Sequence, residues 1–403
     1  MTGDRLVTRP FVLCSAANFL QALAFNFYLH LPGFLHELGA GEVQIGVLSA
    51  VTAVAAIAVR PPLGRAMDLR GRRPLVWAAG ALNVGVCLLY LTIDSLGPWV
   101  YAVRVVHGLA EATLFTVLFT IAADWVPASR RTEGLALYSA TGMLPISLGG
   151  VLGDAILARG SYEALFLASS AAAGASFLCS LPLEEHPRPP LRAGERRGRF
   201  AAVLAQRELA PLWFLGTVFG IVLTGVFVFV KRFAMETQVA SVGAFFTAYT
   251  GAAISVRVVG GRLPDRVGPK RVLLPALATL IGGLAFLAIA RSAREVLAAG
   301  VLCGVGHGFT YPILSSLAVS RARELDRGTA IAILTSLPDV GALVGAPLLG
   351  WILERGGFGA MFGAAAAMFA LGSAVFVGWD RRADRAERTV AGTADSQKPA
   401  AAP

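Results

Sequence analysis

Ionisable side chains interrupt otherwise apolar stretches of this sequence, at spacings that suit proton transfer. Arg104, His107 and Glu111 stand at i, i+3 and i+7 inside one apolar run, so they share a helix face. If that helix starts near Pro98, Glu111 lies ~20 Å along it, close to the midplane of a bilayer. A carboxylate with an Arg and a His one or two turns away has the parts of a protonation switch. Imidazole titrates near neutrality, and burial raises a carboxyl group toward the same range. A structural triad, with Arg104 bonded to backbone carbonyls, is the competing reading. Asp339 follows Pro338 inside another apolar run, where proline interrupts the helix and frees backbone groups. It serves either as a protonation site or as a cap at the helix break. His307 sits in a Gly-rich stretch ending at Pro312, with function and helix packing as its two readings. Asn18, Gln21 and Tyr28 fall on related faces of the first apolar run, where they line a cavity or bond between helices. Charges within lipid are costly, so function is the default expectation for the charged members.

The elements that must hold these residues are membrane helices. Of 403 residues, 56% are hydrophobic and 15% charged, and the mean hydropathy is +0.66. A soluble protein of this length is far less apolar. Runs of ~20 residues, enough to cross a bilayer core, recur along nearly the whole chain. Twelve are expected, near 10–33, 43–63, 74–93, 97–123, 131–157, 162–182, 208–230, 240–260, 271–290, 294–318, 328–353 and 358–378. The fold class is therefore all-α integral membrane, in two bundles of six helices. The bundles are expected at 1–182 and 207–380. A Pro-rich, basic cytoplasmic linker joins them at 183–206, and a charged, disordered tail follows at 381–403. The net charge of +10 is a topology signal rather than a nucleic-acid footprint. Basic residues crowd alternate loops, and the intervening loops carry only Arg159, Lys231, Arg232, Arg291, Arg294 and Arg355. That asymmetry places both termini in the cytoplasm.

The chain is also internally repeated. Residues 60–73 read RPPLGRAMDLRGRR and residues 257–271 read RVVGGRLPDRVGPKR, with Gly64 matched to Gly261 and Asp68 to Asp265. His107-Gly108 recurs as His307-Gly308, and the segment from Arg159 recurs from Arg355. Two halves that each begin in the cytoplasm are related by an axis along the membrane normal, the arrangement of an alternating-access transporter. Gly64 and Gly261 let helix ends approach closely. Gly71 and Gly268 permit a tight, left-handed turn. Asp68 and Asp265 can cap a neighbouring helix N-terminus, and a cap made in one conformer and broken in the other biases the equilibrium between them. Asp124 can pair with Arg72 or Arg73. Loop anchoring and a solvated helix end are the plainer alternatives.

With these motifs in view, nearly the whole chain resembles the major facilitator superfamily. Its signature loop, G-x-L-x-D-R-x-G-R/K-R/K, is matched at Gly64, Asp68, Gly71, Arg72 and Arg73, with Leu69 standing where Arg is usual. The second copy is matched at Gly261, Leu263, Asp265, Arg266, Gly268 and Lys270. The family's R-x-x-Q-G pattern is similar to Arg104-Val-Val-His107-Gly108, with His in place of Gln. The resemblance implies a fold of 12 transmembrane helices, with Asp68 facing the start of the eleventh and Asp265 the start of the fifth. Exporters in the family carry G-P-x-x-G-G on helix five. Here that helix offers Gly142, Pro145, Gly149 and Gly150, with Pro displaced by one position, and helix eleven offers Pro347. The resemblance thus leans toward the drug, sugar and metallophore efflux branch.

The expected activity is proton-coupled export of a small amphipathic molecule by a monomer in a bacterial inner membrane. Glu111 and Asp339 are the favoured protonation sites, and Arg104 tunes Glu111 or contacts an anionic ligand group. Proton-coupled uptake of a nutrient is the alternative, and a non-transporting membrane sensor a distant third. Walker, HExxH and GxSxG sequences are missing, so neither ATP hydrolysis nor these catalytic classes is expected, and no cofactor. Cys14, Cys87, Cys179 and Cys303 stand singly, and His107 and His307 lack companions at metal spacing, so no metal site is expected.

Overall fold

The structure, a computed structural model, describes residues 5–186 and 200–396. Side chains at 42, 43, 235 and beyond 380 are not among those described. Most of the expected linker and the last seven residues of the expected tail (397–403) therefore lie outside the described residues.

Every described element is helical. Ten apolar stretches are long enough to cross a bilayer once: α1 Arg9–Glu37, α2 Gln44–Arg70, α3 Arg73–Thr92, α4 Pro98–Trp125, α5 Ala128–Leu157, α6 Tyr162–Ser180, α7 Ala210–Ala234, α8 Val242–Val259, α9 Pro269–Ile289 and α10 Ala293–Arg321. An eleventh, Glu324–Asp380, has 57 residues. At 1.5 Å per residue it would span ~85 Å, nearly three bilayer cores, so it cannot be one crossing. Gly357, at φ 72° and ψ −177°, breaks it into α11 (324–356) and α12 (358–380). Helical backbone continues beyond 380 to Ser396, through a stretch rich in Ala and Arg, both good helix formers.

Local chemistry sets the helix starts. Thr8 accepts a hydrogen bond from the Phe11 amide at the head of α1, and Ser292 and Glu295 form a reciprocal capping box at the head of α10. Pro98 and Pro269 open α4 and α9, where a missing amide hydrogen has no consequence. Gly71 (φ 97°) and Gly268 (φ 102°) close the two copies of the repeated loop in a conformation closed to other residues.

The first six helices and the last six pack as separate bundles. Among the described residues, one apolar core lies at 203–376 and admits only Met143 from the other half, and another is built solely from residues 24–173, while a third joins the halves by drawing Val319, Ile331 and Ala332 in with residues 6–183. Within the second bundle, α7 and α11 approach closely. A Cβ at Gly220 would lie 2.8 Å from the Leu337 carbonyl oxygen and 2.9 Å from Pro338 Cα. This contact fixes the turn that carries Asp339. Gly220→Ala is expected to destabilise the protein by ~1–3 kcal/mol through overpacking. Gly85→Ala, where a Cβ meets open space, should leave thermal unfolding in detergent unchanged.

Candidate functional site

The α4 face set out by the sequence divides between two environments. Arg104 turns toward α2 and α3, donating from Nε to the Leu48 carbonyl (3.2 Å) and from a terminal nitrogen to the Tyr90 hydroxyl (3.1 Å). Tyr90 in turn lies 2.9 Å from His107 Nδ1. The Tyr28 ring packs 4.5 Å from the rings of both Tyr90 and His107. Arg104, Tyr90, His107 and Tyr28 thus tie α1 to α4 together inside the first bundle. His107 is 1% exposed and, like Tyr28, is not among the residues bordering the central cavity. Tyr28 falls within a 3-10 turn, Phe27–His30, that alters the helical period carrying Asn18 and Gln21.

Glu111 belongs to the cavity, which Arg104 also borders. A space of about 600 Å³ lies between the bundles, a volume that suits a small organic molecule. Glu111 borders it without any hydrogen bond or ion pair to a described residue, and Asp339 and Arg60 dominate its electrostatic surroundings. The expected tuning of Glu111 by Arg104 therefore gives way to an influence from Arg60. The two candidates are ~10 Å apart along the helix axis, and the guanidinium finds acceptors closer at hand.

Arg60 and Asp339 form an ion pair across the bundles, from α2 to α11. The Arg60 side chain is 4% exposed and that of Asp339 37%, on the cavity side. Arg257 of α8 enters the same space at 2% exposure. It donates to the Gly308 carbonyl (3.2 Å) and the Ser139 carbonyl (3.4 Å), and touches Met143 Sδ. Sequence reading placed both arginines at the head of the repeated loops and gave neither a role in the cavity. The signal was present: each stands four residues before the motif glycine, at the end of an apolar run.

Polar groups from the first bundle complete the lining. Asn18 donates to Thr141 Oγ1 (3.0 Å), which leaves Asn18 Oδ1 without a partner, and Gln21 Nε2 is also buried and unpartnered. The Tyr138 hydroxyl is in the same condition. His307 borders the cavity with its Nδ1 bonded to the Tyr249 hydroxyl. Groups of this kind, facing a cavity, are ready to bind a polar ligand or water.

One end of the cavity is shut by the two repeated loops. Asp68 accepts from the amides of Gly328 (2.8 Å) and Thr329 (2.9 Å) and from the Thr329 hydroxyl (2.7 Å), capping the start of α11. Asp265 accepts from the amides of Thr132 (3.0 Å) and Glu133 (2.9 Å) near the start of α5. A Cβ at Gly64 would approach Thr329 Cα to 2.8 Å, and one at Gly261 would meet Ala136 at 3.4 Å, so both loops press against the opposite bundle. Arg72 Nε lies 3.1 Å from Asp124 Oδ2, and the Arg73 guanidinium stacks 4.5 Å above the Trp77 ring. Lys270 pairs with Asp380 (2.6 Å), and Arg266 lies in the field of Glu133.

The helix-five glycines have separate partners. Gly142 borders the cavity, and Gly149 packs on Asn26. The Gly150 carbonyl meets His30 Nε2 at 3.2 Å. Pro145 is buried, whereas Pro347 of α11 is exposed.

The sequence matches the family model of the Major Facilitator Superfamily over residues 11–240 and 212–402. An MFS-type transporter of Salmonella typhimurium is 26% identical over 387 residues, covering 90% of this chain and 94% of its own. The class G tetracycline resistance protein of Vibrio anguillarum is 29% identical over 340 residues, covering 78% and 82%. Among solved structures, the human organic anion transporter MFSD10 superposes with a TM-score of 0.80 at 19% identity, covering 91% of this chain and 99% of that one. Membrane-length helices in two bundles, a central cavity and the doubled loop motif accord with these matches: the chain belongs to the major facilitator superfamily of membrane transporters.

Proposed function

We propose that this transporter exports a small amphipathic molecule in exchange for protons, by alternating access across a bacterial inner membrane. Its basic loops and both termini face the cytoplasm. The observation that carries the reading is the cross-bundle pair Arg60–Asp339 beside an unpartnered Glu111 in a cavity between the two halves. A proton arriving at Asp339 removes the charge that holds Arg60. An ion pair between the bundles is then lost, and their rocking becomes sensitive to protonation. Glu111 offers a second carboxylate within the same field, so a proton can pass between the two as Arg60 changes partner. Asp68 and Asp265 hold the cytoplasmic end closed while the cavity is loaded or emptied on the other side. The tetracycline resistance relative supports export as the direction. The body of the substrate packs against the aromatic lining, which includes Phe25, Phe115, Phe119 and Phe219.

Lumenal pH in proteoliposomes holding an imposed proton gradient tests this reading. Adding a panel of amphipathic compounds to wild type should release protons in a compound-dependent manner. Glu111→Gln should slow that release at least ~10-fold, the usual scale for loss of a proton-transfer group. Compound-dependent release that Glu111→Gln leaves intact would remove Glu111 from the coupling path.

A further inference from the structure

The repeat gives the two cavity arginines equivalent positions but unequal partners. Arg60 maps to Arg257 at the same displacement, 197 residues, that carries Asp68 to Asp265. The paired caps give the corresponding register for the opposing helices. Asp68 Oδ1 and Oδ2 take the amides of Gly328 and Thr329, and Asp265 Oδ1 and Oδ2 take those of Thr132 and Glu133. The helix start of α11 is therefore displaced 196 residues from that of α5, and the residue matching Asp339 is Met143. The contacts follow that register. Arg60 meets Asp339 through a terminal nitrogen, and Arg257 meets Met143 Sδ through the same nitrogen.

Arg257 thus stands in the geometry of an ion pair without the carboxylate. A thioether is a weak acceptor, and the two carbonyls it bonds carry no charge. No acidic side chain pairs with it among the described residues, and its second terminal nitrogen has no hydrogen-bond partner there. A guanidinium at 2% exposure with no counter-charge is costly within a membrane. Its free donors adjoin the cavity, next to Tyr138 and Gly142. A planar guanidinium takes a carboxylate in two parallel hydrogen bonds.

We propose that the substrate supplies the missing carboxylate: it carries a carboxylate-class anionic group that binds Arg257, in the place that Asp339 fills beside Arg60. That assignment stands on the repeat and the geometry alone. A further consequence rests on the proton exchange proposed above. Glu111 borders the same cavity as Arg257, so exchange requires that the same molecule bring a cationic or donating group that competes with the proton at Glu111. The substrate class is then an amphipathic zwitterion, with its apolar body on the aromatic lining.

The test is binding to the purified full-length protein at fixed pH, without any gradient, using 2-naphthoate, 2-naphthylmethylammonium, 2-naphthylmethanol and 2-naphthylalanine. The two probes with a carboxylate should bind at least ~10-fold more tightly than the neutral one, the scale of one charge-assisted pair. Met143→Asp gives Arg257 a carboxylate from the protein and should erase that preference while raising thermal stability. Arg257→Gln should erase it as well, and Arg257→Lys should keep part of it. Equal binding of the neutral and carboxylate probes, no binding of either carboxylate probe, or a preference that survives Met143→Asp would each overturn the proposal. If naphthoate binds as tightly as naphthylalanine, Arg257 keeps its anion and exchange against protons is lost instead. Proton release in proteoliposomes fails or succeeds independently of these affinities.

Discussion

Asp339→Asn should abolish proton-driven transport, at least ~100-fold in initial rate, while the protein still folds. The size of the effect follows from what the carboxylate does that the amide cannot. Asp339 can hold Arg60 as an anion and release it as an acid, whereas Asn has a single state and cannot transmit protonation to the bundle interface. The stability cost should be smaller than the ~3–5 kcal/mol typical of a broken buried pair. Asp339 keeps 37% of its side chain exposed to the cavity, and the Asn oxygen still accepts a hydrogen bond from Arg60. A loss of ~1–3 kcal/mol is expected on that basis. Arg60→Gln should cost transport as much as Asp339→Asn does. The double substitution should restore thermal stability without restoring transport, because two neutral amides bond to each other yet carry no switch. Gradient-driven transport in Asp339→Asn proteoliposomes within twofold of wild type would sink the assignment.

The fold was open to reading because a bilayer constrains a chain so heavily. Backbone groups in lipid must bond within the helix, so each crossing writes an apolar run into the sequence. The duplicated loops then gave the two-bundle arrangement. The site was only half legible, for reasons tied to particular residues. Glu111 and Asp339 stood out because a lone carboxylate in an apolar run has few uses. Arg60 did not, because it opens a basic loop motif. In fact α2 runs on through Pro61 and Pro62 to Arg70, so the motif's first turns lie inside the bundle. Arg257 was hidden in the same way at the end of α8. Tyr28 lies just past Phe27, where the chain tightens into a 3-10 turn, and its ring packs between helices against Tyr90 and His107 rather than on the cavity. Tyr90 escaped notice because a tyrosine near a helix end signals an interface anchor as readily as a hydrogen-bond partner. Which side chains meet across helices is set by rotation of each helix about its axis, and hydropathy does not encode that angle.

Removing the helix caps should open the end of the cavity that the repeated loops shut, and the two caps should not be equivalent. Asp68 is 3% exposed and accepts three hydrogen bonds from Gly328 and Thr329. Asp265 accepts two and is more exposed. A charge-assisted bond contributes ~1.5–3 kcal/mol, and a partly buried carboxylate at a helix N-terminus gains up to ~2 kcal/mol from the dipole. Part of each is recovered from water once the end opens. Asp68→Ala should therefore shift the closed-to-open equilibrium by ~2–4 kcal/mol, roughly 30- to 1000-fold, and Asp265→Ala by about half that energy. Spin labels on Ala128→Cys and Glu324→Cys, placed where α5 and α11 begin, would report the separation of the bundles at this face. Wild type should give one short distance, Asp265→Ala a minor longer population and Asp68→Ala a dominant one. Cys14, Cys87 and Cys303 are buried, so Cys179→Ser suffices for a clean background. If both variants keep the short distance, the caps are anchors rather than a gate. In that case Arg60–Asp339 would have to hold the closed state alone, and Asp339→Asn would itself lengthen the distance between the labels.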